Sequence, residues 1–460
     1  MSQTLQRTLG PLMIWGLGVG YVISGSYFGW NLGLEQGGPW GMLLATLVAT
    51  LLYVSFVLGY AELSCAIPRA GGAFVYAQRA FGEKTAFVVG FAQLVEYCLA
   101  PPAIAFAIGS YIDTGWGDRI RAAVGMAPAQ DGDLVTVVTL VAFLAYVVFT
   151  LINMRGAKLS ASIELVITVV AVVELLIFGC VALPGFKWET FSQDALPNGW
   201  GGAFLALPFA LWFYLAIEGV ANIAEEAKDP QRDLSRGFLS AMGTLVVLAM
   251  IVFFGAVGVA GWKAVYFVNG VDGVSSDSPL PLAIKHLHGE GWLFLVMTNF
   301  GLLGLIASFH GIILASSRAL LEMGRSGFLP KPLGRLHEIR GTPVVALAVN
   351  FVVGMLALLT GKTGDIIILA IFGALTLYFF STIALFRMRK LEPDLPRPYK
   401  TPGYPVVPAV SLVLTVVALA SMVWTKPYLA AIYVAVVAIS FVIWMALRKS
   451  DAATQKASPP

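Results

Sequence analysis

The sequence predicts an all-α polytopic membrane protein of about twelve transmembrane helices, arranged as an inverted repeat of five plus five with two helices added. Three observations predict it. Of 460 residues, 58% are hydrophobic and only 12% are charged, with a mean hydropathy of +0.82, whereas soluble domains carry about a quarter charged residues. About twelve apolar runs approach the ~20 residues that a helix needs to cross the hydrocarbon core. Two of those runs are interrupted near their centres by small or polar residues: Ile23-Ser24-Gly25-Ser26-Tyr27 in the first and Leu215-Ala-Ile-Glu218-Gly219 in the sixth.

The spans lie near 11–36, 40–65, 84–112, 134–153, 160–183, 202–226, 237–261, 291–321, 343–361, 364–388, 406–424 and 428–447. When connections are assigned alternately to the two sides, 22 of the 29 Lys and Arg fall on the side that holds both termini. By the positive-inside rule both termini are cytoplasmic. Span 1 then runs outward and span 6 inward, and their interruptions lie at similar depth. Opposite direction at equivalent positions is what an inverted repeat demands, and paired broken helices mark a binding site at mid-bilayer. Residues 1–405 are the repeat core, 406–449 the two added spans, and 450–460 a polar, disordered cytoplasmic tail. The outward loops 113–133, 184–201 and 262–290 are long, and His286 and His288 in the last have no third metal ligand, so they are solvated loop residues. Cys65, Cys98 and Cys180 have no metal-ligand spacing and suit small buried hydrophobes.

Ionisable groups at bilayer depth are costly, roughly 2.5–3.5 kcal/mol on insertion scales, and mark pathways or braces. Glu218 adjoins Gly219, where a helix opens without a Cβ clash and frees backbone carbonyls. It either neutralises a cation, carries a coupling proton, or braces the break. Glu96 lies mid-span in span 3, ahead of Pro101-Pro102, which should kink that helix. Two carboxylates at one depth call for something positive between them. Glu164 is near enough to the cytoplasmic end of span 5 to snorkel, while Glu174 is deeper and is a second candidate for coupling. His310, midway along span 8, is either a core residue or a pathway group. Trp212 and Tyr214 precede the second break, where rings box an ammonium by cation–π contact or simply pack. Glu62, Glu225 and Glu226 lie at the cytoplasmic mouth with Arg69, Lys228 and Arg232 as prospective partners.

Several stretches resemble the amino acid–polyamine–organocation superfamily of secondary transporters. They are Ala61-Glu62-Leu63 with Pro68-Arg-Ala-Gly-Gly-Ala-Phe-Val-Tyr76 and Ala80-Phe-Gly82, then Glu225-Glu-Ala-Lys-Asp-Pro-Gln-Arg-Asp233, Arg325-Ser-Gly-Phe-Leu-Pro330 and Pro393 to Pro405. Within it, Val22 to Leu34, Glu96-Tyr97, Ala206 to Ala221 and Ala307 to Ile313 are similar to bacterial ethanolamine permeases. The resemblance implies an inner-membrane carrier with a LeuT-like fold and a central site between spans 1, 3, 6 and 8. Carried over by position, Ile23, Ser24, Gly25 and Ser26 supply the broken first helix. Glu96 is the site acid, Trp212, Tyr214, Leu215 and Glu218 form the span 6 wall, and His310 completes the set. Some superfamily members place a lysine in span 5 that stands in for sodium. Here that region reads Val166 to Glu174 without one, so lysine-based coupling is not expected. Ser316 and Ser317 are either sodium ligands or packing residues.

The expected function is uptake of ethanolamine or a similar small amine by alternating access, driven by a coupling ion or facilitative. An amino-acid permease is the alternative within the class, and an amine-binding receptor the alternative outside it. No cofactor, metal site, nucleic-acid partner or catalytic motif is expected. The partners are the amine, the bilayer, and a proton or sodium ion. The oligomeric state stays open.

Overall fold

Two helices rather than one build the first span, and three segments build the sixth. A computed structural model describes residues 7–127, 133, 135–155, 157–268, 273–338 and 340–457, with 157–161 and 449–457 as backbone only. Among them, ten helices are long and apolar enough to cross a bilayer. Two shorter apolar helices, Pro11–Val22 in span 1 and Val344–Leu358 as span 9, complete the twelve expected. The others are Leu34–Ala66 (span 2), Glu83–Val124 (3), Val137–Arg155 (4), Ala157–Ala182 (5), the segmented Gly201–Glu226 (6), Pro230–Ala260 (7), Trp292–Arg325 (8), Thr363–Leu391 (10), Val406–Thr425 (11) and Pro427–Ala457 (12). The described residues contain no strand beyond two isolated bridges, Leu9 with Ala227 and Phe267 with Ser275. In a bilayer, helices satisfy every backbone group internally, which is why apolar runs of this length take that form.

Burial separates a central set from an outer one. Spans 3 and 6 have 83% and 89% of their apolar windows buried, against 28%, 33% and 22% for spans 4, 11 and 12. The outer spans turn large aliphatic side chains such as Leu140, Val413 and Ile439 outward, as a lipid-facing surface requires. Span 3 runs 42 residues through Pro101 and Pro102 as one helix, about 63 Å at 1.5 Å per residue. The segment expected as a loop from 113 is therefore helical as far as Val124.

The end of the molecule that carries most of the cations is tied together by carboxylates, although not by the partners expected. Glu62 is buried and accepts from Arg389 Nε at 2.8 Å and Nη2 at 2.6 Å, from the Thr401 amide at 2.7 Å and from Thr401 Oγ1 at 2.8 Å. Arg397 Nε adds a contact at 3.3 Å. Glu226 pairs with Arg318 at 2.9 Å, and Glu225 accepts from the Ala70 amide at 3.2 Å. Arg69, Lys228 and Arg232 thus give way to arginines of spans 8 and 10 and the following loop, which helix packing brings closer. The N-terminal segment joins this closure, with the Thr8 and Leu9 amides both 2.9 Å from the Glu226 carbonyl.

At the opposite end Tyr266 donates to Glu35 at 2.8 Å, and Thr363 Oγ1 donates to Asp277 at 2.8 Å. Burial pushes the Asp277 carboxyl up to about 6, against the opposing effect of the Thr363 hydroxyl. A carboxyl held above its unfolded value of ~3.9 binds a proton more tightly when folded, so stability falls as pH rises between about 4 and 6. Asp277→Asn keeps an acceptor for Thr363 and removes that loss. In detergent it is expected to melt a few degrees above the parent at pH 7, with the two converging near pH 4.

Three smaller expectations change. His286 and His288 are exposed but end a helix, Pro279–His288, rather than sitting in loop. Cys65 and Cys98 are buried, whereas Cys180 is exposed on the outer span 5. Span 12 continues as helix to Ala457, where a disordered tail is expected from 450. Ala452, Ala453, Gln455, Lys456 and Ala457 are good helix formers that extend it, and 458–460 lie outside the described residues.

Candidate functional site

Both expected interruptions exist: that of span 6 falls inside Leu215–Gly219, at Leu215 and Ala216, while in span 1 the chain leaves helix just beyond the expected Ile23–Ser26. In span 1, Ile23 keeps helical angles (φ −59°, ψ −22°) and Ser24–Tyr27 form a further helical turn. The ladder is instead opened sideways by span 8. Ser308 Oγ donates to the Gly20 carbonyl at 2.6 Å and accepts from the Ser24 amide at 2.9 Å, inserting a hydroxyl into an i→i+4 bond. The chain leaves helix only at Phe28, which is extended, and Gly29, at φ 85°, a conformation that favours glycine. In span 6 a helix ends at Leu211, a 3₁₀ turn covers Trp212–Tyr214, and Leu215 is extended (φ −58°, ψ 141°). Ala216 follows at φ 75°, and a ten-residue 3₁₀ helix runs from Ile217 to Glu226. Positive φ in a residue with a Cβ is strained, and a 3₁₀ run of that length is rare.

The two breaks touch. A Cβ at Gly25 would overlap the Trp212 carbonyl oxygen and come 2.9 Å from Phe213 Cα. Glycine at 25 is therefore required by close approach to span 6, not by its own backbone angles. Gly219, expected as the hinge, serves packing as well: its Cα faces the Tyr21 ring, where a Cβ would come 3.0 Å from Cδ2. The hinge conformation falls on Ala216.

Against this junction stand Glu96 and Glu218, both fully buried. Glu218 is braced. Its Oε1 accepts from Tyr97 at 2.9 Å and its Oε2 from Tyr378 of span 10 at 2.8 Å. The Tyr97 hydroxyl in turn lies 3.4 Å from Asn222 Nδ2, and the Tyr378 hydroxyl 3.3 Å from that of Tyr53. Glu96 has a different environment. Its carboxyl faces the Ala216 amide and the Glu218 carboxyl, yet neither oxygen has a hydrogen-bond partner of regular geometry. Span 10 approaches closely behind it through Gly373, where a Cβ would come 2.9 Å from the Glu96 amide nitrogen. No Lys, Arg or His among the described residues pairs with either acid. Two adjacent buried carboxyls cannot both carry charge without a cation or a shared proton.

The remaining predicted residues divide. Ser24 and Gly25 line the span 1 side, with Ser26 buried and its hydroxyl unpartnered. Leu215 is buried in the break itself. Trp212 meets Phe28 edge-on at 5.4 Å between centroids, and its indole N–H has no partner. Tyr214 turns to span 2, with its hydroxyl 2.7 Å from Thr50 Oγ1 and its ring 5.3 Å from Tyr53. His310 turns to span 5, where its Nδ1 lies 3.0 Å from Glu164 Oε2. Glu164 is therefore not a snorkelling surface acid: it is buried, because the crease between spans 1 and 8 covers it. Glu174 accepts from Tyr27 at 2.7 Å, anchoring the residue just before the span 1 break. Ser316 accepts from Asn350 at 2.8 Å and Ser317 donates to the Leu314 carbonyl at 2.7 Å, so both hydroxyls are engaged in packing.

Tyr378 and Tyr53 are the members of this cluster that the sequence reading misses. A tyrosine in an apolar run reads as packing or interfacial belt.

A family model described as amino acid permease matches residues 9–447. The chain is 30% identical over 418 residues to an uncharacterized transporter of Rhizobium meliloti (strain 1021), covering 89% of this chain and 85% of that protein. It is 26% identical over 454 residues to the branched-chain amino acid permease BcaP of Bacillus subtilis (strain 168), covering 96% and 92% respectively. It is also 26% identical over 420 residues to the methylthioribose transporter of the same organism, covering 89% and 87%.

Proposed function

The chain belongs to the amino acid permease family, and from that premise we propose that it carries ethanolamine or a closely similar small amine across the cytoplasmic membrane of a bacterium. The supporting observation is the Glu96 carboxyl, fully buried, without regular hydrogen bonds, and set against a second acid with no cation beside either. An ammonium entering between Glu96 and Glu218 supplies the missing positive charge. The Tyr97 and Tyr378 hydroxyls hold Glu218 in place for it.

A carrier of zwitterionic amino acids has less use for this pair. The carbonyl ends of broken helices already carry partial negative charge suited to an ammonium. Added acids favour a substrate of net positive charge and repel a substrate carboxylate. The amino-acid reading is supported by the likeness to the branched-chain amino acid permease of Bacillus subtilis, and the carboxylate that every amino acid carries is what separates the two readings.

Alternating access needs both ends to close around the site. Contacts suited to such closure are Arg318–Glu226 and the N-terminal segment at one end, and at the other Tyr266–Glu35 and Asn31, which donates to the Ser276 carbonyl at 2.8 Å. The cation-rich end is the cytoplasmic one in this reading. Purified protein in proteoliposomes should accumulate labelled ethanolamine, with unlabelled ethanolamine competing and excess leucine or serine failing to compete. Competition by leucine at equal concentration would transfer the assignment to amino-acid transport.

A further inference from the structure

Spans 1 and 7 leave a groove of about 410 Å³ between them at the cation-rich end, lined by Pro11, Leu12 and Trp15 of the first and Arg236 and Ser240 of the second. Beneath it the two helices meet, because position 237 is a glycine whose Cβ would overlap the Ile14 side chain. The span 1 wall is apolar. Leu12 is 63% exposed, and Trp15 is half-buried with its indole N–H donated to Thr244 Oγ1 at 3.1 Å. The span 7 wall is polar and repeats every four residues, so that Arg232, Arg236, Ser240 and Thr244 share one face. Arg232 and Arg236 are exposed, and neither forms an ion pair among the described residues. The acid one turn before Arg236, Asp233, is buried and accepts from the Asp229 amide at 3.2 Å. Past Ser240 the same face becomes open and apolar. Gly243 has nothing within 4 Å of where a Cβ would stand, and Val247 is 55% exposed.

We propose that this groove binds one anionic phospholipid, with its phosphate on Arg236 and Arg232 and an acyl chain along Gly243 and Val247. The order of chemistry along span 7, cationic and then apolar, is the order met along a lipid from phosphate to chain. Arg236 lies six residues past Pro230, the first residue of its helix, or about 9 Å along the axis. That is the depth of an interfacial belt, to which Trp15 on the facing helix also belongs. A guanidinium there without a carboxylate partner meets phosphates, whose oxygens its planar fork matches two at a time. The segments leading into the two helices are joined by the Lys228 amide, which donates to the Leu9 carbonyl at 2.9 Å. This brings the exposed Arg7 and Lys228 to the same end. Clustered cations favour a lipid of net negative charge over one whose own ammonium cancels its phosphate. Free inorganic phosphate would use the arginines but leave the Leu12 and Trp15 wall bare, which is why the groove is assigned to a lipid.

The inference depends on the membrane fold and not on which substrate is carried, so its test needs none. The purified full chain in detergent is titrated with phosphatidylglycerol and, separately, phosphatidylethanolamine, and bound lipids are counted by native mass spectrometry. The first phosphatidylglycerol should bind about tenfold more tightly than phosphatidylethanolamine, a margin in keeping with a few cations near one phosphate. Arg236→Gln should abolish that preference. Ser240→Phe, which fills the groove and keeps every charge, should weaken the first phosphatidylglycerol by a similar factor. Arg335→Gln, which removes an exposed arginine of the loop after span 8, should leave it unchanged. An equal loss in Arg335→Gln, or undiminished binding in Ser240→Phe, would reveal a diffuse field rather than a site and overturn the proposal. So would equal binding of the two lipids by the parent, displacement by millimolar inorganic phosphate, or a lipid-free dimer closed through this face. Should one groove variant fail to fold, the other decides. Failure of ethanolamine uptake with the lipid preference intact would sink the substrate assignment and leave the lipid site standing.

Discussion

Glu96→Gln is expected to weaken ethanolamine binding by more than tenfold while the protein folds and purifies as the parent does. Gln keeps the shape of the side chain, so the close approach of Gly373 and the turn at Ala216 are undisturbed. What it removes is the charge that an ammonium would meet. Truncating one member of a buried, hydrogen-bonded charge pair costs roughly 2–5 kcal/mol, or about 30-fold and upward in affinity. Calorimetric titration of parent and variant with ethanolamine measures it. Equal affinities would make Glu96 a structural acid and favour the amino-acid reading. Glu218 lies in the same pair but has both oxygens occupied by tyrosine hydroxyls. Substitution there disturbs the network as well as the charge, which makes Glu96 the cleaner position to test.

The second large effect is on stability and lies far from the site. Glu62→Gln should destabilise the fold by roughly 3–5 kcal/mol, the usual cost of leaving buried charge unpaired. Glu62 is 1% exposed and receives two nitrogens of Arg389, one of Arg397, and both the amide and hydroxyl of Thr401. Gln accepts at one oxygen only, and its amide nitrogen repels the guanidinium groups. The segment from 392 to 405 loses its attachment to span 2 as a result. A melting temperature in detergent lowered by several degrees, with no selective change in substrate affinity once folded, is the expected signature. A variant that melts with the parent would show these bonds to be worth no more than surface pairs.

How far the sequence foretells this architecture depends on the range of the interaction. Spans are legible because each is a local apolar run, and the breaks because Gly25, Ser26 and Glu218 stand out against such runs. Where each break falls is not local. The span 1 ladder opens at Ser24 because Ser308, 284 residues away, reaches in. The left-handed residue of span 6 is Ala216 and not Gly219, since Glu96 meets the Ala216 amide while Tyr21 needs the space at Gly219. Ionic partners fail in the same manner. Glu62 finds Arg389 at a separation of 327 residues, and Glu164 finds His310 at 146. Hydropathy places a residue at a depth, but not on the face of the helix that meets a particular neighbour. That angular phase is set by packing, so Glu164 reads as snorkelling and Tyr378 does not stand out.

Ethanolamine and serine differ by a single carboxylate, which makes them the sharpest probe of an acid pair without a cation. Titrating both, under identical conditions, into the purified parent protein tests the central claim most directly. The account predicts saturable binding of ethanolamine and none of serine over the same range, because the added carboxylate would face Glu96 and Glu218. Serine or leucine binding as tightly as ethanolamine would contradict it.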